Sequence, residues 1–506
     1  MKRISNIIIY RLASLLLIFQ VSCSSDFLDL NPEATANSDN FYKNEEELRQ
    51  AVNGAYNILQ GLGRLHFWLY GEMRSDNTTF QYNTADRGLE SREFIDQFLV
   101  NATFEPIWQF WQQSYQGILR SNEVIDRIDA IEMTDQSRSQ YLGEVKFLRG
   151  LHYFNLVRQY GAVPLRLDAT NSPEGATSQG RTPVAEVYQQ IILDLSEAAG
   201  SLANITYGQS DKGRASEGAA RALLAKVYIT LGQYENAIPE LRRVVSLGYS
   251  LLPNYRDNFV PELKNGVESI FEIQYLGSQQ ALSSNFMYQF APYTSGSAVT
   301  GDPQTPLGGA SGWNIPTKDM IEAYEDGDLR KDASLSEGFI NASGAYVAIP
   351  YITKYNNGFV ERGQTDDNFP YLRYSDVLLM LAECLNEQGF VGGGEAFDLL
   401  NRVRVRAGLA AKTVGNAVPA LSINSQEEFR EALFHERRVE LAFENHRWYD
   451  LVRSGKAVEV MNAHGIREKQ GSTIIPGNAY NVTENRLLLP IPQREVNLDK
   501  LEQNPL

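Results

Sequence analysis

Two stretches of this 506-residue chain place aromatic rings beside amide, guanidinium and carboxylate groups. In the first, residues 61–105, Trp68 and Tyr70 lead into Glu72, Arg74, Asp76 and Asn77, followed by Tyr82 and Asn83. In the second, residues 250–315, Tyr288, Phe290, Tyr293 and Trp313 stand among Asn285, Gln289 and Asn314. Aromatic rings offer flat apolar faces that stack on the C–H face of a sugar ring, while amides, arginine and carboxylate bind hydroxyls in pairs. Both stretches read as walls of a site for a hydroxyl-rich ligand. The plainer alternative for the first is a structural loop in which Arg74 and Asp76 pair with each other.

Other chemistry finds less support. Glu436, Glu440 and Glu444 share a predicted helix with Arg437 and Arg438, where residues four apart pair as ions, and no nucleophile stands nearby. His435 and His446 lack zinc spacing. The acidic run Glu325–Asp328 lacks the alternating aspartates and distant glutamate of a calcium loop and reads as a helix end and turn. No phosphate-binding loop, nucleophile elbow, HExxH or Cys/His cluster occurs. No catalytic residue, cofactor or metal is therefore expected.

Composition agrees. The chain is 43% hydrophobic and 21% charged, as globular proteins are, with a net charge of −16. Such an acidic balance argues against nucleic acid or an anionic membrane surface as the main partner. Tyrosines number 26, phenylalanines 23 and tryptophans 5, enough for both a core and a stacking surface.

The elements that must position these loops are helical. In Ser216–Leu247, residues Leu224, Ala225, Tyr228, Gly232, Ala237, Leu241 and Val244 recur at the offsets of a tetratricopeptide hairpin. Gly232 and Gly248 stand where helices stop. Pro239 should start or kink the second helix. Leu381, Ala382, Leu385 and Gly389 repeat these offsets in 371–409. Further helical runs cover Ser38–Gln60, Ile107–Ile128, Tyr141–Tyr160 and 183–199. The stripes Trp108, Trp111, Tyr115, Ile118 and Phe147, Leu151, Phe154, Val157 read as core. His152 reads as structural. Glu268–Tyr275 alternates as a strand does.

The N-terminus carries an address. Lys2 and Arg3 precede the short apolar run Leu12–Phe19, and Ser22 precedes Cys23. Residues 1–22 read as a bacterial lipoprotein signal, with Cys23 lipidated as the first mature residue, although Gln20 replaces the usual leucine. Cys384 then has no partner for a disulfide and reads as a small buried hydrophobe.

Several segments together carry a family resemblance. They are Cys-Ser-Ser-Asp-Phe-Leu-Asp-Leu-Asn-Pro-Glu from Cys23, with Leu48, Ala51, Gly54 and Tyr56 in the helix that follows, and EVKFLRGLHYFNLVRQYGAVPL from Glu144. Further on come Pro316, Thr317, Asp319, Tyr324, Asp328, Arg330 and Asp332, then the stretches 371–409, 426–445 and 446–454, and finally Leu487–Pro492 and Asn504-Pro505. The chain resembles the SusD/RagB family over 23–506, least in 61–105 and 250–315. The resemblance implies a mostly α fold, a SusD-like superhelix of tetratricopeptide-like pairs with long irregular ligand-binding loops and minor β structure. It implies an outer-membrane lipoprotein that displays its ligand site outward, captures an oligosaccharide without chemistry, and works with a SusC-like TonB-dependent transporter. The expected layout is a helical region 23–250 and a C-terminal region 251–506 in one body. A glycoside hydrolase with two carboxylates across a cleft, or a peptide-binding helical scaffold, are the alternatives.

Overall fold

A computed structural model describes residues 41–82, 90–169, 179–470 and 472–505. The leader, Cys23, Ser38 and Asn83 lie outside the described residues.

The body is built on an array of helices, most of them laid against a near neighbour in the chain. Among the described residues, those of seven residues or more are, in chain order, α1 (Glu45–Gly61), α2 (Glu90–Asp96), α3 (Glu105–Arg127), α4 (Asp135–Tyr160), α5 (Val184–Ser201), α6 (Glu217–Thr230), α7 (Tyr234–Val245), α8 (Tyr374–Gln388), α9 (Glu395–Arg406), α10 (Gln426–Glu440), α11 (Arg447–Arg453) and α12 (Ala457–Gln470). α1 packs on α3, α3 on α4, α4 on α5, α5 on α6, and α6 on α7. The chain then leaves the array at Val245 and returns at Tyr374, where α8 packs directly on α7 and carries α9 and α10. The two predicted hairpins are therefore neighbours in space although about 130 residues separate them.

Local chemistry explains the ends. Ser216 accepts a hydrogen bond from the Ala219 amide at 3.2 Å, and Ser425 one from Glu428 at 3.2 Å. The first helix is capped by Asn44, which accepts from the Glu47 amide at 3.0 Å, rather than beginning near Ser38. Gly232 (φ +69°) turns α6 into α7 in the left-handed region. Pro239 sits inside α7 without ending it. Only the bond to the Glu235 carbonyl is forfeited there, one turn into the helix.

One apolar core runs from Ala55 to Leu501 and takes in helices from both sides of the 245–374 excursion. His152 lies inside it, fully buried, with neither ring nitrogen hydrogen-bonded. Cys384 is buried and free, its thiol pushed up by burial.

The excursion holds most of the minor β structure. β1 (Thr78–Thr79) pairs antiparallel with β3 (Ile315–Pro316), Thr78 opposite Pro316 and Thr79 opposite Ile315. β2 (Ser269–Ile273) pairs antiparallel with β4 (Phe369–Arg373), closing the excursion at its base. Two shorter antiparallel pairs, 335–336 with 351–352 and 339–340 with 346–347, lie between. No described helix is long and apolar enough to cross a membrane.

Candidate functional site

The first predicted wall begins as helix rather than loop. Beyond α1 the chain continues in wide, π-type turns, Leu62–His66 and Leu69–Met73. Its glycines serve close packing. A Cβ on Gly63 would meet the Tyr275 hydroxyl at 2.5 Å, and one on Gly71 would meet Asn445 Oδ1 at 1.6 Å.

This turn carries most of the expected ligand residues into the interior. Trp68 is fully buried; its Nε1 donates to the Arg64 carbonyl at 2.7 Å and its ring meets Phe290 edge-on at 5.5 Å. Tyr70 is fully buried between His66, 6.1 Å away, and Phe110, 5.3 Å away. Asp76 pairs not with Arg74 but with Arg447 at 2.8 Å and Arg438 at 3.0 Å. Burial works against its charge, yet these two arginines hold its carboxyl far below the usual range. Asn77 donates to Glu72 at 3.1 Å and accepts from Arg438 at 2.8 Å. Arg74 donates to the Arg486 carbonyl at 2.5 Å and lies against the rings of Trp448 (4.8 Å) and Phe98 (5.2 Å). In the second wall, Asn314 is also buried and accepts from the Thr78 hydroxyl at 2.6 Å. Trp68, Tyr70, Arg74, Asp76, Asn77 and Asn314 thus face the protein, not a loop surface. Arg438 and Arg447, which hold Asp76 and Asn77, and the Arg486 carbonyl that receives Arg74 lie far along the chain, where sequence spacing does not reveal them.

Tyr82, Tyr288 and Tyr293 are half-buried, and Trp313 shows a 6% exposed edge. The structure brings the segments that carry them together. β1 runs on through Gln81, whose amide donates to the Gly312 carbonyl at 2.7 Å. The Gln81 side chain accepts from the Tyr293 amide at 2.8 Å and donates to Thr294 Oγ1 at 3.3 Å. Gly312 donates to the Ala291 carbonyl at 2.9 Å, and Trp313 to the Gln289 carbonyl at 2.9 Å. Gly312 needs to be glycine: its φ is +67°, and a Cβ would press on Gln81 at 3.0 Å.

Around the tyrosines stand groups that sequence reasoning missed. Phe80 tilts against Trp313 at 6.1 Å, and the Arg92 guanidinium lies over the same indole at 5.5 Å. The Tyr288 hydroxyl donates to Asp302 at 3.1 Å. Phe359, Val360 and Leu307 are exposed apolar side chains of the same excursion. The alternation Phe80-Gln81-Tyr82 was the available signal for the first of these, since adjacent residues of a strand face opposite ways. Arg92 and Asp302 gave none.

Many buried carboxylates elsewhere are held in ion pairs. Beneath α10, Glu436 pairs with Arg330 (2.6 Å) and Arg404 (2.9 Å), and Glu440 with Arg406 (2.5 Å), Arg373 (3.0 Å) and Arg330 (3.2 Å). Glu444 pairs with Arg373 (2.6 Å) and Lys354 (2.8 Å). These are long-range pairs, not the within-helix pairs that spacing suggested. Arg437 likewise reaches Asp376 and Asp450, both at 2.9 Å. Of the acidic run, Glu325 meets Arg404 at 2.7 Å and Asp328 meets Arg330 at 2.7 Å. Burial pushes Glu72 up to about 7, but Asn77 and the amides of Asn445 and His446 hold its oxygens inside. On the loop face Asp302 accepts from the hydroxyls of Tyr288 and Thr305, both at 3.1 Å.

Comparison with known proteins bears on both halves of the chain. Residues 26–229 match a family model described as starch-binding and associating with the outer membrane, and residues 339–506 match the SusD family model. A SusD-like protein of Formosa agariphila is 30% identical over 530 positions, covering 100% of this chain and 99% of the relative. The starch-binding protein SusD of Bacteroides thetaiotaomicron is 23% identical, over 69% of this chain and 70% of its own. Among solved structures, a laminarin-binding SusD-like protein superposes with a TM-score of 0.75 at 27% identity, covering 92% of this chain and 100% of that one.

Proposed function

The chain belongs to the SusD/RagB family, and from that premise we propose that it is a surface nutrient-binding protein that captures a glycan and does not cleave it. The observation that carries the reading is the loop face. Tyr82, Tyr288 and Tyr293 are half-buried rings on segments held together by hydrogen bonds through Gln81, Ser311 and Gly312, with Trp313, Arg92 and Asp302 on the same segments or against them. Rings held by backbone hydrogen bonds lose little freedom on binding, and their faces suit the C–H faces of sugars. A glucan of the laminarin or starch type is the ligand class to try first, because similar proteins carry those names.

Delivery completes the proposal. Cys23 is the lipid attachment point, and the residues after it tether the body outside the outer membrane. The captured glycan passes to a SusC-like TonB-dependent transporter. Metabolic labelling with palmitate tests the anchor: label incorporated into the wild type and absent from Cys23→Ala supports it, and label in both contradicts it.

The binding test uses the mature chain with Cys23→Ser, titrated with laminarin and starch oligosaccharides, with product analysis of each mixture. Saturable binding without new reducing ends is the expected result. New reducing ends that vanish on replacing one carboxylate point to a hydrolase, and no glycan binding overturns the proposal.

A further inference from the structure

Arg74 differs from the other buried arginines. Arg149 faces Asp194 at 2.7 Å, Arg330 faces Asp328, Glu436 and Glu440, Arg373 faces Glu268, Glu440 and Glu444, and Arg447 faces Asp76. Arg74 is 2% exposed, yet among the described residues no carboxylate pairs with it. Its guanidinium reaches only a carbonyl, that of Arg486, and the amide oxygen of Gln159 at 3.5 Å. Its Nε is buried and has no hydrogen-bond partner. The rings of Trp448 and Phe98 lie against it and leave its edge as the polar surface.

Arg74 lines a cavity of about 250 Å³ together with Phe98, Asn478, Arg486, Leu488 and Pro490. Arg486 donates to the carbonyls of Phe98 (3.4 Å) and Asn481 (3.0 Å), and among the described residues no carboxylate pairs with it either. Asn478 is exposed, so the cavity meets the surface. Two arginines with no carboxylate paired to them among the described residues stand here on a chain of net charge −16. A buried cation without a partner is costly, and an anion in the cavity removes that cost. Burial draws the Arg74 guanidinium down to about 10, in keeping with a missing counter-charge.

We propose that the Arg74–Arg486 cavity binds an oxyanion, a carboxylate or sulfate, either free or carried as an acidic substituent on a sugar. Arginine suits both groups because its planar fork matches two oxygens at once. The cavity shares no lining residue with the loop face, so the proposal stands apart from the glycan reading.

The test titrates the mature chain carrying Cys23→Ser with sodium sulfate and with sodium glucuronate. Sodium chloride at equal ionic strength and glucose are the comparisons. The readouts are calorimetry and the ¹⁵N-resolved arginine Nε–H resonances. Saturable binding that shifts one arginine resonance and weakens about tenfold or more in Arg486→Gln is expected. That variant keeps the backbone carbonyl that receives Arg74. Arg74→Gln, if its circular dichroism is native, abolishes binding. Binding of both anions assigns the site to free oxyanions, and binding of glucuronate alone assigns it to acidic sugars. A response equal to that of chloride, or affinity unchanged in Arg486→Gln, overturns the proposal.

Discussion

The ionic layer beneath α10 and the loop face around Tyr293 are built from similarly polar sequence, and the structure uses them in opposite ways. Under α10, Arg330, Arg373, Glu436 and Glu440 are almost wholly buried, and each guanidinium meets at least two carboxylates. On the loop face, half-exposed tyrosines stand beside amides and hydroxyls as well as Arg92 and Asp302, and backbone bonds together with the Gln81 side chain hold the segments. The lesson is that polar residue types announce neither burial nor binding. Charges that can find opposite charges across the fold become scaffold. Neutral polar groups beside rings remain able to exchange water for a ligand's hydroxyls.

The sharpest way to break this contrast is to damage one region and measure the other. Glu440→Ala leaves Arg373, Arg406 and Arg330 short of a counter-charge and is expected to cost about 3–5 kcal/mol of stability in urea unfolding. Trp68→Ala empties a fully buried site at a similar cost of about 3–5 kcal/mol. In both, glycan affinity per folded molecule should stay unchanged. Lost affinity in the folded fraction of either would join the two regions.

Acid sharpens the picture of the interior. Burial holds His66 and His152 down at about 3, and burial also holds His446 well below 6.5. Their lowered values mean stability that is present above pH 6.5 and is lost as pH falls. Glu72 and Asp367 act the other way, both pushed up to about 7 by burial. What they contribute is present below about pH 4.5 and is lost as pH rises through 7. The opposing groups partly cancel between these limits. Unfolding free energy measured against pH should therefore fall most steeply below about pH 4.5, where only the histidines and the paired carboxylates still titrate. A slope that is flat there would contradict the burial of the histidines.

Smaller effects belong to the loop face. Tyr293→Ala should weaken glycan binding by about 1–3 kcal/mol, by analogy with other stacking on aromatic side chains, and change stability little. Gly312→Ala must take a positive φ beside Gln81, so it should cost about 1–2 kcal/mol of stability and loosen the same site. Urea unfolding and calorimetry on one preparation separate the two effects.

What was legible in the sequence was what local chemistry decides. Ser216, Gly232 and the apolar spacing to Val244 define the α6–α7 hairpin within thirty residues, and the structure keeps it. The strand near Ser269 followed from alternation. The turn at 61–77 was misread because its glycines resemble loop glycines, while their role is to admit Tyr275 and Asn445. The fate of Asp76 was illegible for a related reason, since Arg438 and Arg447 lie more than 360 residues away. Tyr288, Tyr293 and Trp313 were picked out by composition, but only the fold shows that Gln81 joins them to the end of β1.

The most direct test of the account compares the wild-type mature chain with the Tyr288→Ala/Tyr293→Ala double variant, titrated calorimetrically with laminarin and starch oligosaccharides. The account predicts saturable binding by the wild type, loss of about tenfold or more in affinity by the variant, and closely similar unfolding curves. Equal affinity in the two proteins would contradict the claim that the loop face holds the glycan.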